Sequence, residues 1–344
     1  MRARGPGNRR GAWLLLVIWA LAGCTRTPAE GEVRAIRIPI GAGGVGFLPF
    51  LVMEEYDLIE KHAAASGIEG LDVEWLRVGG PAVVNDALLS GSADFVAAGP
   101  PAFLTLWDRT YETSGVKGVA AMTSLPMYLN TRAPHLDSLD DLRENDRIAL
   151  TAPKVSIPAL IMQMYAREVY GPGEYERFDR FTVTMTHPDG VIALLAGSGG
   201  IAAHFTSPPF HQRERQDPGV RTIMTTTDVM GSPTTFTMVS TTTRFREENP
   251  RVYRAVFDAL EEANAMIVAN KRMAADLLLA SMGGNGFSAD DLFGVVSDPD
   301  TFFTTTPENL MRYAQFMYEI GSIAHEPASW QDLFFPEIHG VPGS

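Results

Sequence analysis

The sequence predicts an α/β fold made of two lobes that share a cleft. Three observations carry this. Short strand-like apolar runs alternate with helix-length amphipathic segments over the first two thirds of the chain. A helix-then-strand pattern occurs twice with a drift of one or two residues: Pro81-Ala-Val-Val-Asn-Asp-Ala-Leu-Leu-Ser-Gly-Ser92 leads into Gly99-Pro100-Pro101, and Pro188-Asp-Gly-Val-Ile-Ala-Leu-Leu-Ala-Gly-Ser198 leads into Ser207-Pro208-Pro209. The final third reads as successive helices, which pack most simply back on the first block.

Taken in order, Val33–Ile40 alternates as a first strand and is followed by the glycine-rich turn Gly41–Gly46. Leu48, Leu51, Val52, Tyr56 and Ile59 recur at helical spacing and predict one helix to about Ala65. Asp72–Val78 and Phe95–Ala98 read as strands. The helix between them opens at Gly79-Gly80-Pro81, where proline suits the first helical position, and closes at Ser90-Gly91. The alternation predicts largely parallel sheets. Ser138-Leu-Asp-Asp141 is a capping box for a short helix. Arg147–Thr151 reads as a strand and Ile157–Tyr170 as a helix. Phe181–Thr186 is a further strand, and His187-Pro188-Asp189 opens a helix ending near Gly197. After a strand from Thr235 to Ser240, Asn249-Pro250 starts a helix to about Ala269; Ser288–Asp291 and Thr306-Pro307 open two more.

Residues 1–23 have a different character. Arg2, Arg4, Arg9 and Arg10 precede an unbroken apolar run, Ala12–Ala22, and small residues lead to Cys24. This is the layout of a secretory signal. Eleven apolar residues are too few for a membrane-spanning helix, which needs roughly 20. Cys24 is the only cysteine, so no internal disulfide can form. Removing residues 1–23 takes four of the 28 basic side chains and no acidic one, leaving 24 against 41 and a net charge of −17. Such a surface repels nucleic acid and anionic lipid headgroups. Thr25–Glu32 is short and polar, as a tether would be.

Two sets of residues carry resemblances. Leu21-Ala22-Gly23-Cys24 resembles the lipobox of bacterial lipoproteins, which implies lipid on the Cys24 sulfur and cleavage before it. Leu71-Asp-Val-Glu-Trp-Leu-Arg-Val-Gly-Gly-Pro81 through Leu88–Asp94, Ser138–Leu142, Ala193–Gly197 and Asn249–Val252 with Ala263 and Ala274-Ala275 resemble solute-binding proteins of the sulfonate, taurine, nitrate and thiamine-precursor ABC importers (the NMT1/THI5-like group). The resemblance covers about residues 35–325. It implies a type II periplasmic-binding fold, with crossings between the lobes near Ser124–Tyr128 and Gly231–Thr235. The expected division is a signal peptide at 1–23, a lipidated tether at 24–32, lobe 1 at 33–124 with 235–344, and lobe 2 at 125–234. Two stretches depart from the family: Gly197-Ser-Gly-Gly200 lacks its common acidic residue, and Phe205-Thr-Ser-Pro208 stands where a tryptophan often precedes the proline.

In such folds ligands sit beyond the carboxyl ends of strands, at helix N-termini whose free N–H groups attract anions or carbonyl oxygens. This selects Phe47, Gly80, Pro81, Pro100, Ser156, Ile157, His187, His204, Ser207 and Pro208 as ligand-binding candidates, with Ser156 as a hydroxyl donor and Phe47 and Phe210 as stacking surfaces. No arginine or lysine belongs clearly to these loops, although Arg77 and Lys154 lie close in sequence. A neutral, aromatic or heterocyclic solute therefore fits better than a strong anion. His187, His204 and His211 match no usual zinc spacing, so no metal is expected. Gly41-Ala-Gly43-Gly-Val-Gly46 fits the dinucleotide pattern formally, but the next strand ends in Arg77-Val-Gly-Gly without the ribose-binding acidic residue, so no cofactor is expected. A hydrolase elbow, Gly-x-Ser-x-Gly, is absent from the sequence. The expected function is that of an exported, lipid-anchored, monomeric solute-binding protein, periplasmic or at the cell surface. It hands its solute to an ABC permease with ATPase subunits and is not an enzyme. The alternatives are an exported enzyme on the same fold and a solute sensor for a membrane receptor.

Overall fold

A computed structural model describes residues 31–41, 44–77, 81–197, 200–283 and 286–344. The expected leader and Cys24 lie outside the described residues, as does Gly80. The elements run β1 (Ala35–Ile40), α1 (Leu48–Glu55), α2 (Leu58–Ala65), β2 (Asp72–Arg77), α3 (Pro81–Leu89), β3 (Val96–Ala98), α4 (Pro100–Thr110) and β4 (Val116–Ser124). The chain then crosses into β5 (Tyr128–Thr131), β6 (Arg147–Leu150), α5 (Ile157–Tyr170), β7 (Thr182–Thr184), α6 (His187–Ala196), β8 (Ile201–Thr206), α7 (Phe210–Arg215), β9 (Arg221–Thr225) and α8 (Thr226–Met230). It returns through β10 (Thr235–Thr242) to α9 (Thr243–Glu248), α10 (Pro250–Ala269), α11 (Lys271–Ser281), α12 (Ala289–Val296), β11 (Phe302–Phe303) and α13 (Leu310–Glu319).

The strands form three sheets among the described residues: β1-β2, β11-β4-β10-β3 and β7-β6-β8-β5-β9. The expectation of largely parallel sheets is corrected. β1 and β2 are parallel, as are β6 with β7 and with β8. β10 runs antiparallel to both β3 and β4, β11 antiparallel to β4, and β5 antiparallel to β8 and β9. The reason is the crossing. A strand that enters a lobe from the hinge starts where strands such as β3 and β8 end, so β5 and β10 run against their neighbours.

Hydroxyl groups stitch the hinge. Thr123 Oγ1 lies 2.6 Å from Thr237 Oγ1, and Ser124 Oγ donates to the Thr234 carbonyl at 2.8 Å. All four residues are buried, so these bonds satisfy groups that would otherwise be desolvated without partners. The long helix α10 buries Val252, Val256, Ala259, Leu260, Ala263 and Ile267, a stripe at i, i+3, i+4 spacing, against α1 and α2. This docks the helical C-terminal third on the first block.

Two helix expectations change. The single helix predicted over 48–65 is two helices, because Asp57 adopts a left-handed backbone (φ 48°) between them. The helix expected from Thr306-Pro307 begins at Leu310. Tertiary bonds hold the preceding residues out of it: the Glu308 N–H donates to Thr235 Oγ1 at 2.8 Å, and the Asn309 amide donates to the Pro233 carbonyl at 2.8 Å.

Candidate functional site

Two sets of loops meet across a seam. On the first rim, Gly44 (φ 96°) leads into a 3-10 turn, Val45–Phe47. The turn is tied to the hinge strands: the Gly46 carbonyl accepts from Thr237 Oγ1 at 2.7 Å and from Thr123 Oγ1 at 3.3 Å. A Cβ on Gly46 would stand 2.1 Å from the Phe236 ring, so only glycine allows this approach. Phe47 is half-buried, with its ring against Gly41. Gly99 caps α4, whose first turn holds the buried Pro100 and Pro101.

The second rim reaches across to these glycines. A Cβ on Gly44 would lie 3.5 Å from the Pro208 carbonyl and 3.8 Å from the Phe210 ring. A Cβ on Gly99 would lie 3.1 Å from Ile157 Cδ1. The structure thus brings Phe47, Pro100, Ile157 and Pro208 to one seam, with Phe210 beside them. Pro81 opens α3. Ser156 is the N-cap residue of α5, but its hydroxyl donates to the Ala152 carbonyl at 2.6 Å, so its proton is already engaged. Ser207 is buried, and its carbonyl accepts the His211 N–H at 3.1 Å.

Behind the second rim lies a buried polar network. His204 and Glu214 side chains are both 0% exposed and pair through Nδ1 and Oε1 at 2.5 Å. The Asn130 amide donates to Glu214 Oε2 at 2.7 Å and to His211 Nδ1 at 3.2 Å, while its own oxygen accepts from Thr222 Oγ1 at 2.7 Å. His204 Nε2 lies 3.4 Å from His187 Nδ1, which is also 3.2 Å from Thr206 Oγ1. His204, expected among the ligand contacts, has no exposed surface: the structure places it behind the rim, with both ring nitrogens near side-chain partners. Gly190 makes room for it, since a Cβ there would stand 2.4 Å from Nε2.

His187 differs. It opens α6 behind the N-cap Thr186, is half-buried, and lies 5.5 Å from the Phe210 ring at a 29° interplanar angle. Burial, then the charge of the His204 ring, pushes its pKa down to about 3, so it is neutral at physiological pH. His211 stacks on Tyr128 with ring centroids 3.6 Å apart, and burial followed by the charge of Arg215 pushes it down to about 4. Burial, then the charges of Asp298 and Asp300, pushes the Tyr128 phenol up to about 12.

The cations nearest these loops in sequence are occupied. Arg77 pairs with Glu54 at 2.6 Å and Lys154 with Glu176 at 3.2 Å, all at accessible positions. Among the described residues no group of three or more histidine, cysteine or carboxylate side chains is placed to hold a metal ion. Two surface grooves lie elsewhere. One, about 400 Å³, runs between α5 and α13, and its Arg167 pairs with Glu319 across it. The other, about 330 Å³, lies beside β9 over Leu129 and Met224. Neither is lined by the loops at the strand ends, so neither displaces the seam as the candidate site.

Sequence reasoning missed Asn130, Glu214 and Phe236. Glu214 sits in Phe210-His-Gln-Arg-Glu-Arg215, which reads as a solvated helix face; nothing local reveals that its partner is His204. Phe236 carried a weak signal, since it lies at the junction of a predicted crossing and a strand.

The topology is that of the periplasmic binding proteins: two α/β lobes around a cleft, joined by two crossover segments. Solved structures share it. The alkanesulfonate-binding protein SsuA from Xanthomonas axonopodis pv. citri, bound to MOPS, superposes with a TM-score of 0.65 at 14% identity, covering 88% of this chain and 98% of that one. The periplasmic nitrate-binding protein NrtA from Synechocystis PCC 6803 gives 0.64 at 14% identity, over 88% and 84%. A Candida albicans gene product described as having the generic periplasmic binding protein fold gives 0.64 at 12% identity, over 88% and 96%. No family model and no curated protein matches the sequence.

Proposed function

We propose that the chain is an extracytoplasmic solute-binding lipoprotein. It captures a small organic molecule between its lobes and delivers it to an ABC importer. The observation that carries this reading is the seam, where glycines of one rim meet Ile157, Pro208 and Phe210 of the other in a fold shared with sulfonate- and nitrate-binding proteins. Lobe 1 comprises 33–124 and 235–344, and lobe 2 comprises 125–234; the sheets whose strands fall wholly within these ranges support the division. The lobes open and close about the hinge, and the closed form docks on the permease. Cys24 carries the lipid and residues 24–32 the tether, as the lipobox resemblance implies. The protein works as a monomer, periplasmic or at the cell surface, and is not an enzyme.

The solute is neutral, aromatic or heterocyclic. Aromatic and proline surfaces border the seam, and the cations closest in sequence are already paired. The test is a thermal-shift panel of sulfonates, pyrimidines, aromatic acids and amines. Stabilisation that grows with concentration is expected for one of these classes. Turnover of a stabilising compound by the purified protein would overturn the non-enzymatic reading.

A further inference from the structure

We propose that the buried Glu214–His204 pair fixes the tautomer of His187, so that His187 offers its Nε2–H as a hydrogen-bond donor and selects a solute oxygen on the second rim. The inference rests on the solute-binding reading for its ligand, but not for its tautomer.

Glu214 is fully buried, and an unpaired carboxylate there is costly. Asn130 is a neutral donor and does not compensate that charge. The side chain touching the other carboxylate oxygen is His204, at 2.5 Å, and among the described residues bonded to Glu214 it is the one able to carry the compensating charge. A cationic His204 uses Nδ1–H on Glu214, and its Nε2–H then has His187 Nδ1 as acceptor at 3.4 Å. The Thr206 hydroxyl, 3.2 Å from the same nitrogen, can rotate to donate to it as well. His187 Nδ1 is therefore an acceptor, and a neutral imidazole with its lone pair at Nδ1 carries its proton on Nε2. That nitrogen has no hydrogen-bond partner among the described residues, and the ring lies against Phe210 at the seam. Burial and the His204 charge keep His187 neutral, so the presented N–H belongs to a dipole and not to a cation.

The groups facing this array are few. Glu214, His211 and Arg215 come from α7, Asn130 from β5, Thr206 from β8 and His187 from α6. Among the described residues no second carboxylate bonds to His204 or His187. Asn130 in turn requires His211 Nδ1 to be an acceptor, because both of its N–H groups are used and its oxygen is taken by Thr222. His211 is thus neutral and acts as the closing member of the network; it is not a second source of charge.

The experiment is long-range ¹⁵N–¹H correlation NMR of the full chain with ¹⁵N-labelled histidine, with no solute added. At neutral pH we expect His204 to show two protonated nitrogens, and His187 to show a lone-pair nitrogen at Nδ1 and a protonated one at Nε2. A proton on His187 Nδ1, or a neutral His204, overturns the proposal. In Glu214→Gln the His187 proton is expected to move from Nε2 to Nδ1; an unmoved proton overturns the role of Glu214. Should that variant fail to fold, the wild-type spectrum still decides. The solute arm compares benzamide, which offers an acceptor oxygen, with benzylamine, which offers none. Binding of benzamide, weakened about tenfold in His187→Ala, is expected, and a preference for benzylamine overturns the selection of oxygen. If neither compound binds, the solute-binding reading loses support while the spectra still decide the tautomer.

Discussion

The two rims of the seam are built differently. The first rim, Gly44–Phe47 with Gly99 and Pro100, presents backbone, aromatic and proline surface and is anchored from behind by the neutral hydroxyls of Thr123 and Thr237. The second rim, with His187 and Pro208–Phe210, is backed by a buried carboxylate–imidazole pair and one further histidine, His211. The first sets shape through the absence of side chains; the second sets polarity through their arrangement. Removing a polar partner should therefore damage the second rim most, and adding an atom should damage the first.

The largest effect is expected for Glu214→Ala. It leaves His204 buried without its partner and should cost about 3–5 kcal/mol of folding stability in urea denaturation. A loss under 1 kcal/mol would remove the ionic character of the second rim. Acid should act next, and on the same rim. His187 and His211 have folded pKa values depressed to about 3 and about 4, against 6.5 unfolded. The unfolded chain binds protons first, so their contribution is intact above pH 6.5 and is lost as pH falls from there toward 4 and 3. Each contributes a slope of at most about 1.4 kcal/mol per pH unit. The double variant His187→Phe/His211→Phe should flatten the fall in melting temperature between pH 6.5 and 5; an unchanged slope would place the acid sensitivity elsewhere.

On the first rim, Gly99→Ala should hold the lobes apart without unfolding either, because its φ of −74° tolerates alanine while the new Cβ meets Ile157 and the Phe236 carbonyl. About tenfold weaker binding of whichever solute stabilises the protein, with folding stability changed by under about 1 kcal/mol, is the expected outcome by calorimetry. Equal affinity would show that the rims do not close on each other. The smallest effects belong to Arg77→Ala and Lys154→Ala. Both side chains sit in exposed ion pairs, so stability should change by under about 0.5 kcal/mol and affinity not at all. A loss of binding in either would assign that cation to the solute and favour an anion.

Much of the first rim was legible in the sequence because its determinants are local. A glycine run after a strand and proline at the first turn of α4 announce turns and helix starts by their own backbone restrictions. The second rim was half legible. His187 follows the N-cap Thr186 and precedes Pro188, so its place at a helix start could be read directly. The burial of His204, its pairing with Glu214 ten residues on, and the part played by Asn130 on a different strand are tertiary facts without a local pattern. The antiparallel β5 and β10 escaped for the same reason: strand direction follows from where the chain crosses between lobes, not from residue alternation.

In the proposed function one solute contacts both rims at once. Hydrogen–deuterium exchange of the purified chain, with and without a stabilising solute from the thermal-shift panel, tests this most directly. Slowed exchange is expected in peptides covering Gly44–Phe47 and Gly99–Phe103 and, in the same sample, in those covering Ile157–Leu160 and His187–Val191. Protection confined to one rim, or to the groove between α5 and α13, would contradict it.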